Sequence, residues 1–197
     1  MKILKNIGLA LAIILVIAAI GIYFMPKEYK VANSIEINKP VDVVYAQLND
    51  FSKWGAWDRW KEMDPASKAT FEGSPGMKGH KMSWQGEKTG EGSMTLDWAE
   101  PNKTISSELN FVKPFKAEAK DIWQLEAMGD KTKVTWINSG GLKYPFGRLF
   151  GLSVDKMMDK QHTKGLNNLK KYCESLPAAP QQMASSDSVS TGGDKSM

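Results

Sequence analysis

The sequence has few of the residues that build metal sites or activated nucleophiles. It contains one cysteine, Cys173, and two histidines, His80 and His162. A lone cysteine permits no intramolecular disulfide, and two isolated histidines form neither a Cys/His cluster nor an H-E-x-x-H motif. There is no G-x-S-x-G elbow, and the glycine-rich stretch 72–79 lacks the Lys-Ser/Thr ending of a phosphate-binding loop. We therefore expect neither a metal nor another cofactor.

Basic charge is present only in mild excess. The formal net charge is +4 over 197 residues, and the lysines are spread along the chain. Nucleic-acid binding normally requires a clustered Lys/Arg stripe, so we expect no nucleic-acid partner. A mild positive charge is compatible with approach to anionic lipid.

One long hydrophobic run stands apart from the rest of the chain. Residues 6–25 carry no charge, and twenty helical residues span roughly 30 Å, the thickness of a bilayer's hydrocarbon core. The run is longer than the apolar part of a signal peptide, although cleavage after Gly21 stays open as an alternative. We predict an uncleaved membrane anchor over residues 1–27, so that the chain is a single-pass membrane protein.

The flanking charges favour one orientation only slightly. Lys2 and Lys5, together with the amino terminus, precede the span, whereas Lys27 and Lys30 follow it. The positive-inside rule then predicts a cytoplasmic N-terminus and an extracytoplasmic, for example periplasmic, domain.

The two remaining parts of the chain differ in composition. Residues 177–197 are rich in Pro, Ser, Gly and Ala and contain no aromatic residue, a composition that predicts a disordered tail. Residues 28–176 are long enough for one domain with a hydrophobic core.

The pattern of this domain predicts an α+β fold. Apolar and polar residues alternate from residue 29 to residue 139, with turn signals between the segments, which indicates antiparallel strands. A proline-led helix begins at Pro40, and two short helical turns follow it. A long amphipathic helix is predicted over 153–175, with Ser153 as its N-cap. The order is β-α-α-β6-α, in which one curved sheet is covered by one long helix.

Small residues stand where this sheet and helix should meet. Ala117 and Ala119 lie side by side on the predicted inner face, and Gly165 lies in the middle of the last helix. Such residues can leave an apolar cavity, or they can simply accommodate neighbouring tryptophans. Both interpretations stay open on this evidence.

The stretch 34–60 resembles the START-like superfamily, also called the SRPBCC or helix-grip superfamily, which includes polyketide cyclases/dehydrases and lipid-transport proteins. Members open with an alternating strand, a helix of the form P-x-x-V-[FWY]-x-x-[IL]-x-D and a W-x-x-W stretch. The residues that carry the resemblance are Pro40, Val44, Tyr45, Leu48, Asp50, Trp54 and Trp57.

The resemblance implies a helix-grip domain whose sheet and last helix enclose an apolar cavity. It therefore implies a membrane-tethered domain that binds a hydrophobic small molecule or lipid. Because the family is functionally diverse, a cyclase/dehydratase-type enzyme and a co-chaperone-like interaction module stay open as alternatives. The predicted ligand-binding residues are Trp84, Trp98, Phe111, Ala119, Asp121, Trp123, Trp136, Met158 and His162.

Asp121 interrupts an otherwise small and apolar inner face. Desolvation would raise the pKa of such a carboxyl group and suit it to acid–base chemistry, unless it pairs with Arg148 or a lysine or meets water at the cavity rim. In the tryptophan-rich stretch, we expect Trp54 and Trp57 to be core residues. We expect Trp60, between Arg59 and Lys61, to be exposed and to act in a lid or in lipid contact.

Overall fold

The computed structural model describes residues 2–177, so the predicted tail lies outside the described residues apart from Pro177. The chain begins with α1 (Lys2–Tyr23), whose side chains pack against almost nothing. This helix is long and apolar enough to cross a membrane. A helix that is hydrophobic all round and unburied has no soluble core to stabilise it, which fits a lipid environment.

Within residues 2–177, seven strands form one antiparallel sheet in the order β1-β7-β6-β5-β4-β3-β2. Consecutive strands from β2 to β7 pair with each other, and β1 closes onto β7, so β1 and β2 are the two edges. The α+β helix-grip prediction is confirmed. The strands are β1 (Glu28–Ile37), β2 (Lys68–Glu72), β3 (Lys81–Gly86), β4 (Gly90–Glu100), β5 (Thr104–Lys113), β6 (Ala117–Met128) and β7 (Lys131–Gly141).

Three helical segments follow β1, as predicted. Helix α2 (Val41–Leu48) begins directly after Pro40, which has no N–H to leave unsatisfied. A 3-10 helix (Phe51–Ala56) and the short α3 (Arg59–Met63) come next. Each of these two is capped by an aspartate: Asp50 accepts from the Ser52 N–H at 3.0 Å, and Asp58 accepts from the Trp60 N–H at 3.1 Å.

The last helix, α4 (Phe146–Ser175), begins seven residues before the predicted start at Ser153. The prediction was wrong because Gly147 and Gly151 resemble loop residues in a sequence. In the structure they let Leu142 pack directly on the helix. A Cβ at Gly147 would lie 3.0 Å from the Leu142 carbonyl carbon, and one at Gly151 would lie 2.6 Å from Leu142 Cδ1.

The strand register arranges the inner face in rows that cross the sheet. The first row lies nearest to α1, because β1 begins there. The first row is Tyr29, Gly140, Ala119 and Leu109; the second row is Val31, Asn138, Asp121 and Ser107; the third row is Asn33, Trp136, Trp123 and Ile105.

A β-bulge in β4 corrects one sequence prediction. Leu96 pairs with Ser107 and Trp98 pairs with Ser106, so Asp97 is an extra residue without a partner. Because of the extra residue, side chains after Asp97 point to the opposite face from the one that the alternation before it predicts. Met94 and Leu96 are therefore buried, but Trp98, predicted to bind the ligand, is 45% exposed and does not share their face.

Candidate functional site

The second half of α4 closes tightly over the third row. The ring of Trp136 stacks between Trp123, at 4.4 Å between centroids, and His162, at 4.0 Å. A Cβ on Gly165 would lie 3.0 Å from Trp136 Cζ3. The absence of a side chain at Gly165 therefore leaves room for the Trp136 indole. The space predicted beneath Gly165 is filled by that indole ring. We call this packed region the closed half.

The aromatic packing extends from the closed half across the domain. Trp54 and Trp57 both contact Trp123 edge-on, at 5.7 and 6.1 Å between centroids. Both are at most 5% exposed, which confirms the prediction that they are core residues. Trp60 is 39% exposed, as expected, while its role in a lid or in lipid contact stays a prediction.

The inner face is less well covered at the end next to α1. Ala119, Leu109, Phe111 and Trp84 are only partly buried there, and Ala117 is exposed. Phe111 and Trp84 meet edge-on at 5.7 Å, which leaves an apolar surface beside the small side chains. We call this surface, formed by Trp84, Leu109, Phe111, Ala117 and Ala119, the mouth.

A buried polar cluster lies directly behind the mouth, in and beside the second row. The Tyr29 hydroxyl donates to Asn138 Oδ1 at 2.8 Å, and Asn138 Nδ2 donates to Asp121 Oδ1 at 2.6 Å. Asp121 is 2% exposed and has no cation paired with it among residues 2–177. Arg148, one of the partners left open by the sequence, instead contacts the end of α1. Tyr29, Ser107, Asp121 and Asn138 form the polar cluster.

Burial perturbs the acidity of these groups. Desolvation raises the pKa of Asp121 to about 6, although the hydrogen bond from Asn138 opposes the shift. The Trp136 N–H is near enough to lower this pKa slightly, yet it lies outside hydrogen-bond geometry. Desolvation, with a smaller effect of the Asp121 charge, raises the pKa of Tyr29 to about 12.

Asp58 brings a second perturbed carboxyl group close to the first. Desolvation raises its pKa to about 6, backbone N–H groups of α3 oppose this, and the Asp121 charge adds a smaller increase. The sequence signal for Asp58 was its position as the N-cap of α3.

His162 is neutral in this environment. It is fully buried, and desolvation lowers its pKa to about 4, against a smaller opposite effect of Asp159. Its Nδ1 lies 3.1 Å from Asn33 Oδ1, while its Nε2 has no partner. A neutral imidazole with Nδ1–H donating to Asn33 would leave Nε2 as a free acceptor.

Buried polar atoms without hydrogen-bond partners concentrate in this region. Seven such atoms occur among the described residues, and five belong to the inner side of the grip next to the polar cluster or the aromatic stack. A buried unsatisfied polar group costs about 1–3 kcal/mol, so a local concentration calls for an explanation. The five atoms are Trp57 Nε1, Ser107 Oγ, Trp123 Nε1, Trp136 Nε1 and His162 Nε2.

The predicted ligand-binding residues separate into three groups. Ala119, Trp84 and Phe111 lie in the mouth, with Asp121 behind it. Trp123, Trp136 and His162 form the stacked closed half, and Met158 is partly buried one turn before His162. Trp98 lies apart from the others because of the bulge. Sequence reasoning missed Tyr29, although the β1 alternation of residues 31, 33, 35 and 37 extends back to it.

Two other candidates have structural roles. His80 is 1% exposed and stacked on Phe51 at 4.8 Å. Its Nε2 accepts from the Phe51 N–H and its Nδ1 lies 3.1 Å from the Glu72 carbonyl, so both ring nitrogens are occupied. Burial raises the pKa of Cys173 to about 12, which makes it a poor nucleophile.

Open grooves formed by the described residues also lie outside the grip. One, of about 610 Å³, crosses four strands at the α1 end, and seven of its eleven lining residues belong to outward-facing positions such as Glu108, Glu118 and Lys120. We therefore place it on the outer face of the sheet. Another runs along the solvent side of α4 from Asp159 to Lys171. No group of three metal-ligating side chains occurs among residues 2–177.

Solved structures with the same fold include proteins of several kinds. The Zhui aromatase/cyclase from Streptomyces sp. R1128 superposes with a TM-score of 0.57 at 12% identity, over 75% of this chain and 94% of that one. The Aha1 dimer from Colwellia psychrerythraea superposes with a TM-score of 0.51 at 18% identity, over 75% of this chain and 97% of that one. DynU16, a protein in the dynemicin biosynthetic locus, superposes with a TM-score of 0.54 at 16% identity over 74% of this chain. The match spans only 47% of the length of DynU16.

These identities establish a shared fold and nothing finer. Comparison with curated proteins gave no match. The family described as "Polyketide cyclase / dehydrase and lipid transport" matches residues 28–174, most of the chain. The chain therefore belongs to the polyketide cyclase/dehydrase and lipid-transport family.

Proposed function

We propose that this protein is a membrane-tethered domain that binds one apolar small molecule or lipid at the mouth. The apolar body of the ligand lies against Trp84, Leu109 and Phe111. A polar group of the ligand reaches the polar cluster behind Ala119. Residues 1–27 tether the domain, and the charge distribution around α1 favours an extracytoplasmic position for it.

The observation that carries this proposal is a buried carboxyl group with unpartnered polar atoms beside it, directly behind an apolar surface. Two of the five unpartnered atoms lie beside Asp121: Ser107 Oγ belongs to the polar cluster, and the Trp136 N–H is near enough to lower the pKa of the carboxyl group. Among residues 2–177, the carboxyl group accepts one hydrogen bond, from Asn138. A ligand with one polar end could form hydrogen bonds with several of these groups at once, which would offset part of the free-energy cost of burying them. Ligand sites are commonly apolar with a few convergent polar groups.

The small residues of the first row support the same location. Ala119 and Gly140 are neighbours across β6 and β7, and the Tyr29 ring lies over Gly140, 2.8 Å from where a Cβ would be. Rotation of Tyr29 away from Gly140 would widen the mouth towards Asp121. Because α1 ends beside this row, a ligand dissolved in the bilayer would have a short path to it.

Ligand content of the purified full-length chain tests the proposal. We expect organic extraction to release a stoichiometric apolar compound, detectable by mass spectrometry, and dansyl-undecanoic acid to bind the delipidated chain. Ala119→Trp should reduce probe binding at least tenfold by filling the mouth. Ala127→Trp, an exposed position of the same strand far from the mouth, is the matched control. Absence of both extracted compound and probe binding would refute the proposal.

Acid–base chemistry of cyclase/dehydratase type is a second candidate, favoured by the two carboxyl groups with raised pKa. Asp121 and Asp58 each titrate at about 6, so one could donate and the other accept a proton near neutral pH. An enzyme would lose turnover in Asp121→Asn while retaining ligand binding. A carrier would retain binding without any turnover in the wild type.

A further inference from the structure

The end of α1 is fixed to the beginning of α4. Arg148 donates from Nη1 to the Tyr23 carbonyl, and its guanidinium lies 5.3 Å from the Tyr23 ring and 5.6 Å from the Tyr144 ring. Arg148 is only 8% exposed. These charge-assisted and cation–π contacts would limit how freely the domain can turn about its tether.

Several other chain segments reach this same end of the domain. Strand β1 begins here at Glu28, and its partner β7 ends here at Gly141. The turn between β5 and β6 extends beyond the first row, because Phe111 pairs with Ala117 two residues past Ala119. The first turns of α4 follow directly after β7, so the tip of one hairpin and the start of one helix flank the mouth.

Large apolar side chains are exposed at this end. Phe115, in the β5–β6 turn, is 80% exposed and Phe146 is 81% exposed. Single exposed apolar residues are ordinary, but several large ones at one end of a domain mark an interaction surface. The membrane-side surface consists of Phe24, Phe115, Phe146, Leu149, Phe150 and Leu152.

Lysines border this surface. Lys27, Lys116 and Lys143 are exposed and pair with no acidic residue within the described part of the chain, whereas Lys113 pairs with Glu91 at 2.8 Å. The exposed acids nearby, Glu28 and Glu118, line the outer-face groove. Aromatic residues beside long cationic side chains suit the headgroup region, where the rings enter the acyl boundary and the ammonium groups reach phosphate.

We infer that the membrane-side surface is a second membrane contact, in which the Phe115 turn and the first turns of α4 lie in the headgroup region of the bilayer crossed by α1. This inference rests on the proposed tether but not on ligand binding. The contact turns the mouth towards lipid, so that an apolar molecule could pass between the bilayer and the grip without entering bulk water.

Depth measurements on the full-length chain in POPC/POPG liposomes test the inference. Single labels would be attached at Phe115→Cys and Phe150→Cys, with Asp130→Cys in the opposite turn as the control and Leu11→Cys within α1 as the reference. The native Cys173 is fully buried and should not react. Nitroxide accessibility to oxygen and to a water-soluble nickel complex then gives the depth of each label.

We expect labels at 115 and 150 to lie roughly 5–10 Å below the phosphates and the label at 130 to lie in water. An immersed Leu11 label with aqueous labels at 115 and 150 would overturn the second contact and leave the tether intact. An aqueous Leu11 label would overturn both. Labels at 115 and 150 that are shielded from both oxygen and the nickel complex would also overturn the second membrane contact. They would indicate contact with another copy of the chain instead.

Discussion

The two halves of α4 meet the same sheet in opposite ways. The second half presents Leu166, Leu169 and Gly165, which are fully or almost fully buried, and it packs so closely that a Cβ on Gly165 would lie 3.0 Å from Trp136 Cζ3. The first half presents Leu149, Phe150 and Leu152, which are exposed. The Asp121 carboxyl group with its raised pKa and the unpartnered Ser107 Oγ lie behind the sheet's less covered end.

The difference separates stability from function. Close packing gives the closed half its contribution to the free energy of unfolding. Exposed apolar side chains and unsatisfied polar groups contribute little or oppose folding, so an interaction elsewhere must account for them. The following changes should break or sharpen this contrast.

The largest effect is expected for Leu169→Ala in the closed half. Leu169 is fully buried, and removing such a side chain costs about 2–5 kcal/mol in free energy of unfolding. Leu152→Ala, on the same helix but 70% exposed, should change it by less than about 0.5 kcal/mol. Thermal and chemical unfolding of the full chain in detergent, followed by tryptophan fluorescence, measures both. Equal losses would show that the two halves do not differ.

Asp121→Asn should stabilise the protein at high pH. The folded-state pKa of about 6 exceeds the unperturbed value by roughly two units, equivalent to about 3 kcal/mol. A raised carboxyl pKa favours folding below about pH 4, and this advantage is lost as pH rises through 6. The variant should therefore exceed the wild type by about 3 kcal/mol at pH 8 and by little near pH 4.

Asp97→Asn is the control for this titration, because Asp97 lies outside the grip and contacts Lys78 and Lys120. The Asp97→Asn variant should show no comparable gain in free energy of unfolding at pH 8. A pH-independent effect of Asp121→Asn would contradict the raised pKa and would remove the argument for acid–base chemistry.

Gly165→Ala should destabilise the protein by about 1–2 kcal/mol. Alanine gains about 1 kcal/mol in helix propensity, but its Cβ would lie 3.0 Å from Trp136 Cζ3. Trp136 is held between Trp123 and His162 and has little freedom to move, so overpacking should outweigh propensity. Gly55→Ala, which has open space around its Cβ, should be neutral. Stabilisation by Gly165→Ala would indicate room at the closed half.

Trp60→Ala is expected to have the smallest effect on stability, less than about 0.5 kcal/mol. Trp60 is 39% exposed and α3 contacts the middle of α4 through Arg59 and Gln161, at 2.9 Å. If Trp60 serves as a lid or contacts lipid, the variant should lose probe affinity or liposome association with an unchanged melting temperature. A matching loss of stability would instead assign it to the core.

The fold could be predicted from the sequence because each strand and helix has a local signal. Alternation, turn residues and the Pro40 helix start are properties of neighbouring residues, and the structure confirms the elements. Trp98 could not be assigned to the correct face of the sheet, because the extra residue Asp97 moves it to the other face. Nothing in the neighbouring sequence signals that bulge. The start of α4 was missed because Gly147 and Gly151 serve contacts with Leu142, which is distant packing.

The candidate site was only partly predictable. Asp121 stood out because a charged residue interrupts an apolar face, and the structure shows that it is buried. Its partner Asn138 and the overlying Tyr29 depend on the β6–β7 and β1–β7 registers, which the sequence does not specify. The filled space at Gly165 likewise depends on which rotamer Trp136 adopts, a question that tertiary packing alone decides.

Native mass spectrometry of the full-length chain released from detergent tests the central claim most directly. The account predicts one apolar molecule retained per wild-type chain, lost in Ala119→Trp and retained in Ala127→Trp. Wild-type chains without a bound molecule, or equal retention in both variants, would contradict a ligand site at the mouth.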